Sequence, residues 1–84
     1  MASFLVETYT PGPAETALPS LAAQAEEAAQ VASRAGIDIH HVRSFLAPDD
    51  EVCFHVFEAA SADAVVRMSE LAHFDHERVT EVIE

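Results

Sequence analysis

The residues in this chain that can do chemistry are five histidines and one cysteine, set among fifteen acids and four arginines. Cys53 and His55 stand two apart in the run Val52-Cys53-Phe54-His55-Val56-Phe57. On a strand, residues two apart point the same way, with Cα atoms ~6.6 Å apart. If the preceding run folds back symmetrically about Pro48-Asp49-Asp50, then Ala47 faces Glu51, Phe45 faces Cys53, Arg43 faces His55 and His41 faces Phe57. His41 then lies diagonal to His55, roughly 7–8 Å away by Cα. Two imidazoles suit nickel, copper or zinc, and an added thiolate shifts the preference toward zinc or softer ions. His41, His55 and Cys53 are therefore the first metal-ligand candidates. Arg43 between them opposes a nearby cation, and its planar fork is suited instead to binding Glu7 or another carboxylate. The plainer reading makes Cys53 a small packing residue and the histidines hydrogen-bonding groups at an interface.

His73 and His76, with Asp75 between them, form a second candidate chelate beyond a helix end. Two ligands on a turn make a weak site without further donors, and a solvated loop is the simpler expectation. Nucleophilic catalysis finds no Gly-x-Ser-x-Gly motif and no acid placed to orient a Cys53–His55 pair. With only Gly12 and Gly36 in the chain, phosphate-loop and dinucleotide motifs are absent. The formal charge of −11, with no lysine, repels a phosphate backbone and anionic membrane surfaces while attracting cations. No apolar run approaches the ~18 residues of a membrane span. The N-terminus lacks the basic segment of a signal peptide, and the lone cysteine fits a reducing cytoplasm.

The elements that must position these groups fit a single domain over residues 1–84. A domain of this size buries only about 60–65% of its unfolded surface, so a partner that covers more apolar area helps it. Phe4 to Tyr9 alternates as a strand, which Pro11-Gly12-Pro13 ends. Thr16 to Ala35 is rich in helix-forming alanine and glutamate. Leu21, Ala25, Ala28, Ala32 and Ala35 make its stripe, Pro19 suits its first turn, and Gly36 stops it. Ile37 to Ala47 and Glu51 to Ala59 form a hairpin. Ser61 caps a second helix running to about Ala72, with Val65, Met68 and Ala72 buried, and Arg78 to Ile83 is a last strand. The order is βαββαβ. That predicts an α+β, ferredoxin-like domain, a four-stranded antiparallel sheet with two helices on one face.

Both faces of the hairpin are apolar. The even-numbered side (Val42, Leu46, Val52, Phe54, Val56) is expected against the helices. The odd-numbered side (Ile37, Ile39, His41, Arg43, Phe45, Cys53, His55, Phe57) is expected outward. Two helices cover one face only, and monomers seldom leave such a patch in water, so the sheet is expected to pack against a second copy as a two-fold homodimer.

The segments Phe4-Leu5-Val6-Glu7, Arg43-Ser44-Phe45, Pro48 to Ala59 and Arg78-Val79-Thr80-Glu81-Val82 resemble a family of small bacterial proteins of unknown function, often labelled nickel-binding. The resemblance spans nearly the whole chain and is most specific from Arg43 to Ala59. It implies a ferredoxin-like fold, dimerisation through the sheet and, in some members, a bound transition metal; it implies no catalytic activity. This chain has His73-Phe74-Asp75-His76 where many members carry a Gly-Phe-Pro turn, and His55 falls where they carry cysteine. The favoured reading is a dimeric protein binding a divalent transition metal, nickel first and zinc or copper next. The alternatives are a small cofactor-free enzyme of the monooxygenase or isomerase kind and a non-catalytic ligand-sensing module. The enzyme reading requires a pocket between helices and sheet, for which the even-numbered side offers His40, Ser44 and Glu58.

Overall fold

The computed structural model describes residues 1–12 and 14–84. Strand β1 spans Ala2–Tyr9, with Phe4 and Val6 directed into the core. Gly12 takes φ +84°, a left-handed backbone that glycine adopts without a steric penalty. Pro13, part of the expected Pro-Gly-Pro break, lies outside the described residues. A 3₁₀ turn over Ala14–Thr16 precedes helix α1, Leu18–Arg34. The helix begins later than composition alone suggests because Pro19, lacking an N–H, fits only its first turn. Its buried face consists of Ala25, Ala28, Ala29 and Ala32, small enough to bring the helix close to the sheet. Gly36, at φ +90°, ends it, and the Ile37 N–H donates to the Ala32 carbonyl at 3.0 Å.

Strands β2 (Ile39–Ala47) and β3 (Val52–Ala59) follow, then helix α2 (Ala62–Ala72) and strand β4 (Arg78–Val82). Ser61 caps α2, its hydroxyl accepting from the Ala64 N–H at 3.2 Å. All pairings are antiparallel and the order across the sheet is β2-β3-β1-β4. Both β1 and β2 run antiparallel to the β3 between them. The fold is the expected ferredoxin-like α+β arrangement. Its core joins Phe4, Val6, Ile39 and Phe57 to the α1 alanines and to Val65 and Met68 of α2.

Two expectations about the hairpin are corrected. Four residues close it, not three. Pro48–Asp50 make a 3₁₀ turn and Glu51, at φ +55°, completes it with its N–H on the Pro48 carbonyl at 3.2 Å. Ala47 therefore pairs with Val52, Leu46 with Cys53, Phe45 with Phe54, Ser44 with His55 and Arg43 with Val56. A bulge between His41 and Arg43 absorbs the extra residue, so that His41 faces Phe57 as expected. Arg43 thus leaves the imidazoles and Ser44 takes its place.

The faces are also reversed along β3 and along β2 before the bulge, while Arg43 to Ala47 keep the sides expected of them. Cys53, His55 and Phe57 lie on the covered side, 0%, 1% and 0% exposed, with Phe57 packed into the helix-bearing core. Phe54, Val52 and Val56 point to the open side, with Leu5 of β1 and Phe45 of β2. The reason is physical: both faces carry enough apolar residues to form a core, so the period-two pattern cannot choose between them. The choice belongs to the handedness of the β1-α1-β2 crossover, which places α1 over one face.

Candidate functional site

The bulge in β2 brings His41 and Ser44, three apart in sequence, onto the same covered face as His55 and Cys53. There a chain of polar contacts runs from the surface into the core. The Glu26 carboxylate on α1 lies 3.4 Å from His41 Nδ1. His41 Nε2 lies 2.9 Å from Ser44 Oγ, Ser44 Oγ lies 2.6 Å from His55 Nδ1, and His55 Nε2 lies 3.6 Å from Cys53 Sγ. Aromatic rings hold the imidazoles in place. Phe57 is 5.4 Å from His41 between ring centroids, and Phe74, on the turn after α2, meets His55 edge-on at 5.2 Å.

Burial, reinforced by the charge of His41, lowers the His55 pKa to about 4, and burial raises that of the Cys53 thiol. His55 is therefore neutral and Cys53 protonated at neutral pH. An arrangement with one proton on each imidazole satisfies every atom of this chain of contacts. His41 Nδ1–H donates to Glu26, which as a carboxylate only accepts. The Ser44 hydroxyl then donates to His41 Nε2, His55 Nδ1–H donates to Ser44 Oγ, and the Cys53 thiol donates to His55 Nε2. The opposite set would aim a bare nitrogen of His41 at the carboxylate.

The metal-ligand candidates His41, His55 and Cys53 are thus brought together, but they do not surround a common point. His41 approaches from the Nδ1 side of His55 through Ser44, and Cys53 sits at Nε2. The thiol that burial keeps protonated is a poor ligand, since metals take the thiolate. Among the described residues, no group of three or more His, Cys, Asp or Glu side chains stands ready to hold a metal ion. The expected Arg43–Glu7 pair does not form. Arg43 reaches Glu84 at 2.8 Å, and Glu7 lies 3.8 Å from Arg78. His40 points away from His41 toward Asp38, at 3.5 Å. His73 and His76 do share a surface cleft of about 350 Å³ with Glu70 and Asp75, at the left-handed cap of α2. The donor chemistry there, two imidazoles and two carboxylates, fits a borderline divalent ion.

Glu26 is the residue that sequence reasoning missed, and Ser44 enters it only for an enzyme pocket, not as a partner of the imidazoles. Their partnership depends on the bulge and on the position of α1, and neither leaves a local signature. A second cleft, of about 340 Å³ between α1 and β2, is lined by Glu26, Gln30, Arg34, Ile39, His40 and His41. No helix is long and apolar enough to cross a membrane among the described residues.

Fold and site together define a small ferredoxin-like protein with a histidine-rich polar face beneath its helices and a second histidine cluster on a loop. The chain belongs to the nickel responsive protein SCO4226-like family, whose model it matches over residues 4–82. No curated protein and no solved structure matches it.

Proposed function

We propose that this chain is a homodimeric, cytoplasmic protein that binds a divalent transition ion of the nickel type, without catalysis by the metal. The family description supports the class of ion, and the charge of −11 supports attraction of cations. The observation that carries the reading is the open surface cleft that Glu70, His73, Asp75 and His76 line without yet enclosing a common point. His73, Asp75 and Glu70 are exposed and His76 half-buried, so their side chains are free to close on an ion, whereas His41, His55 and Cys53 are committed to one another. Nickel titrated calorimetrically into metal-free protein should bind well below millimolar Kd, and the His73→Ala, His76→Ala double variant should weaken that binding at least tenfold. Binding no tighter than millimolar, about 4 kcal/mol, refutes the reading, as does unchanged affinity in the double variant.

The partner is a second copy of the chain, and the open sheet face supports it. Leu5, Val52, Phe54 and Phe45 lie there with no helix over them. Phe45 is 41% exposed and stacks on Phe54 at 5.3 Å. This apolar surface is not the one expected from the sequence, but it creates the same need for cover. Sedimentation equilibrium should give a dimer, and Phe45→Glu should shift it to monomer. A monomeric wild type refutes the assembly.

A further inference from the structure

We propose that Glu26, His41 and Ser44 form a nucleophilic triad for acyl transfer, with small carboxylic esters as the substrate class. The contacts have the order such chemistry requires: carboxylate to Nδ1 at 3.4 Å, and Nε2 to hydroxyl at 2.9 Å. The carboxylate holds the imidazole in the tautomer whose free nitrogen accepts the serine proton. His55 adds a second contact. Its Nδ1–H, 2.6 Å from Ser44 Oγ, stabilises negative charge on that oxygen as the proton leaves.

Ser44 is half-buried and the His41 side chain 8% exposed, while Glu26 is on the surface, so the triad opens at the edge of the sheet rather than in the core. A cleft of about 340 Å³, at the small end of ligand sites, adjoins the triad on the side of Glu26 and His41, with Ser44 outside its lining. Arg34 on its wall has no ion-pair partner among the described residues and suits an acyl chain that carries a carboxylate.

In the first step Ser44 Oγ bonds to the ester carbonyl carbon and its proton passes to His41 Nε2. The bond from that carbon to the alcohol oxygen breaks, and the departing oxygen takes the proton from His41. Water repeats the sequence on the acyl-serine: its oxygen bonds to the carbon, the Ser44 Oγ–carbon bond breaks, and Ser44 regains a proton. The products are an acid and an alcohol, with no change of oxidation state.

A structural role for the same hydrogen bonds, satisfying buried polar groups, predicts an inert serine. The test separates the two in the full-length protein with EDTA present, so that its outcome is independent of metal binding. The protein is treated with an alkyl fluorophosphonate and, separately, with p-nitrophenyl acetate, and adducts are mapped by peptide mass spectrometry. An adduct on Ser44 of the wild-type chain is expected. Glu26→Gln, a change at the surface that leaves the core intact, should slow labelling about tenfold, and His41→Gln about 10²-fold, the usual worth of a general base. Glu81→Gln, an exposed change on β4 at the far edge of the sheet, should label at the wild-type rate. Absence of a Ser44 adduct in folded wild-type protein overturns the proposal, as does ester turnover that survives Ser44→Ala undiminished.

Discussion

The buried imidazole of His55 makes the stability of this domain dependent on acid in a calculable way. In the unfolded chain His55 takes a proton near its ordinary value of 6.5; in the folded protein it does so only at about 4, because burial, and then the charge of His41, penalise the imidazolium. Between those two values the unfolded state binds a proton that the folded state refuses. The contribution is therefore fully present above pH ~6.5 and is lost as the pH falls toward about 4. Integrating the linkage relation from about pH 7.5 to about pH 4.5 gives a loss of roughly 2.5 kcal/mol from this one group. The total stability expected of 84 residues is only about 4–12 kcal/mol. The groups packed around the ring are His41 and Ser44 from β2, Cys53 from β3 and Phe74 from the turn after α2; beyond His41 lies Glu26 from α1. Protonation of the fifteen acids also changes stability over this range, so the quantity to measure is a difference. Urea unfolding followed by far-UV circular dichroism at the two pH values, for wild type and for His55→Gln, isolates it. With a slope of about 1 kcal/mol/M, the wild-type midpoint should fall by about 2.5 M more than that of the variant. Equal falls would show that His55 is not held neutral in the folded state, and the proton arrangement assigned to the Glu26-to-Cys53 chain would fail with it.

Thr8, paired with Cys53 across β1 and β3, has a buried hydroxyl without a hydrogen-bond partner among the described residues. Thr8→Val removes that hydroxyl and should stabilise the domain by about 1 kcal/mol, read as a melting temperature higher by about 4–8 °C. Ser61→Ala deletes the cap of α2 and should cost about 1 kcal/mol by the same measurement. Phe57 is fully buried among both helices and two imidazoles. Phe57→Ala should cost about 3–5 kcal/mol, enough to leave the domain partly unfolded at 37 °C, visible as lost chemical-shift dispersion in its NMR spectrum.

Much of the fold was legible along the chain because its signals are local. Ala25, Ala28 and Ala32 repeat at helical spacing, Gly36 and Ser61 mark helix ends, and Phe4 and Val6 alternate; each reflects a backbone geometry that neighbouring residues dictate. The faces of the hairpin were not legible in this way. With apolar residues at odd and even positions alike, either side of β3 could have met the helices. A one-residue difference in the closure at Pro48–Glu51 put Ser44, in place of Arg43, on the same face as His55. The imidazole–thiol group was half visible: His41, His55 and Cys53 do come together, but through Ser44 and under the helices.

By itself, then, the order of residues determined the elements, their succession and the ferredoxin-like class, since capping, periodicity and turn chemistry act over a few residues at a time. It also determined the acidic charge, which no folding changes. Only the tertiary structure decided which face of the sheet is covered, that a bulge carries His41 round beside Ser44, and that Glu26 reaches them from another element. Those outcomes depend on crossover handedness and on long-range register, where alternatives of nearly equal local merit are separated only by how the whole chain packs.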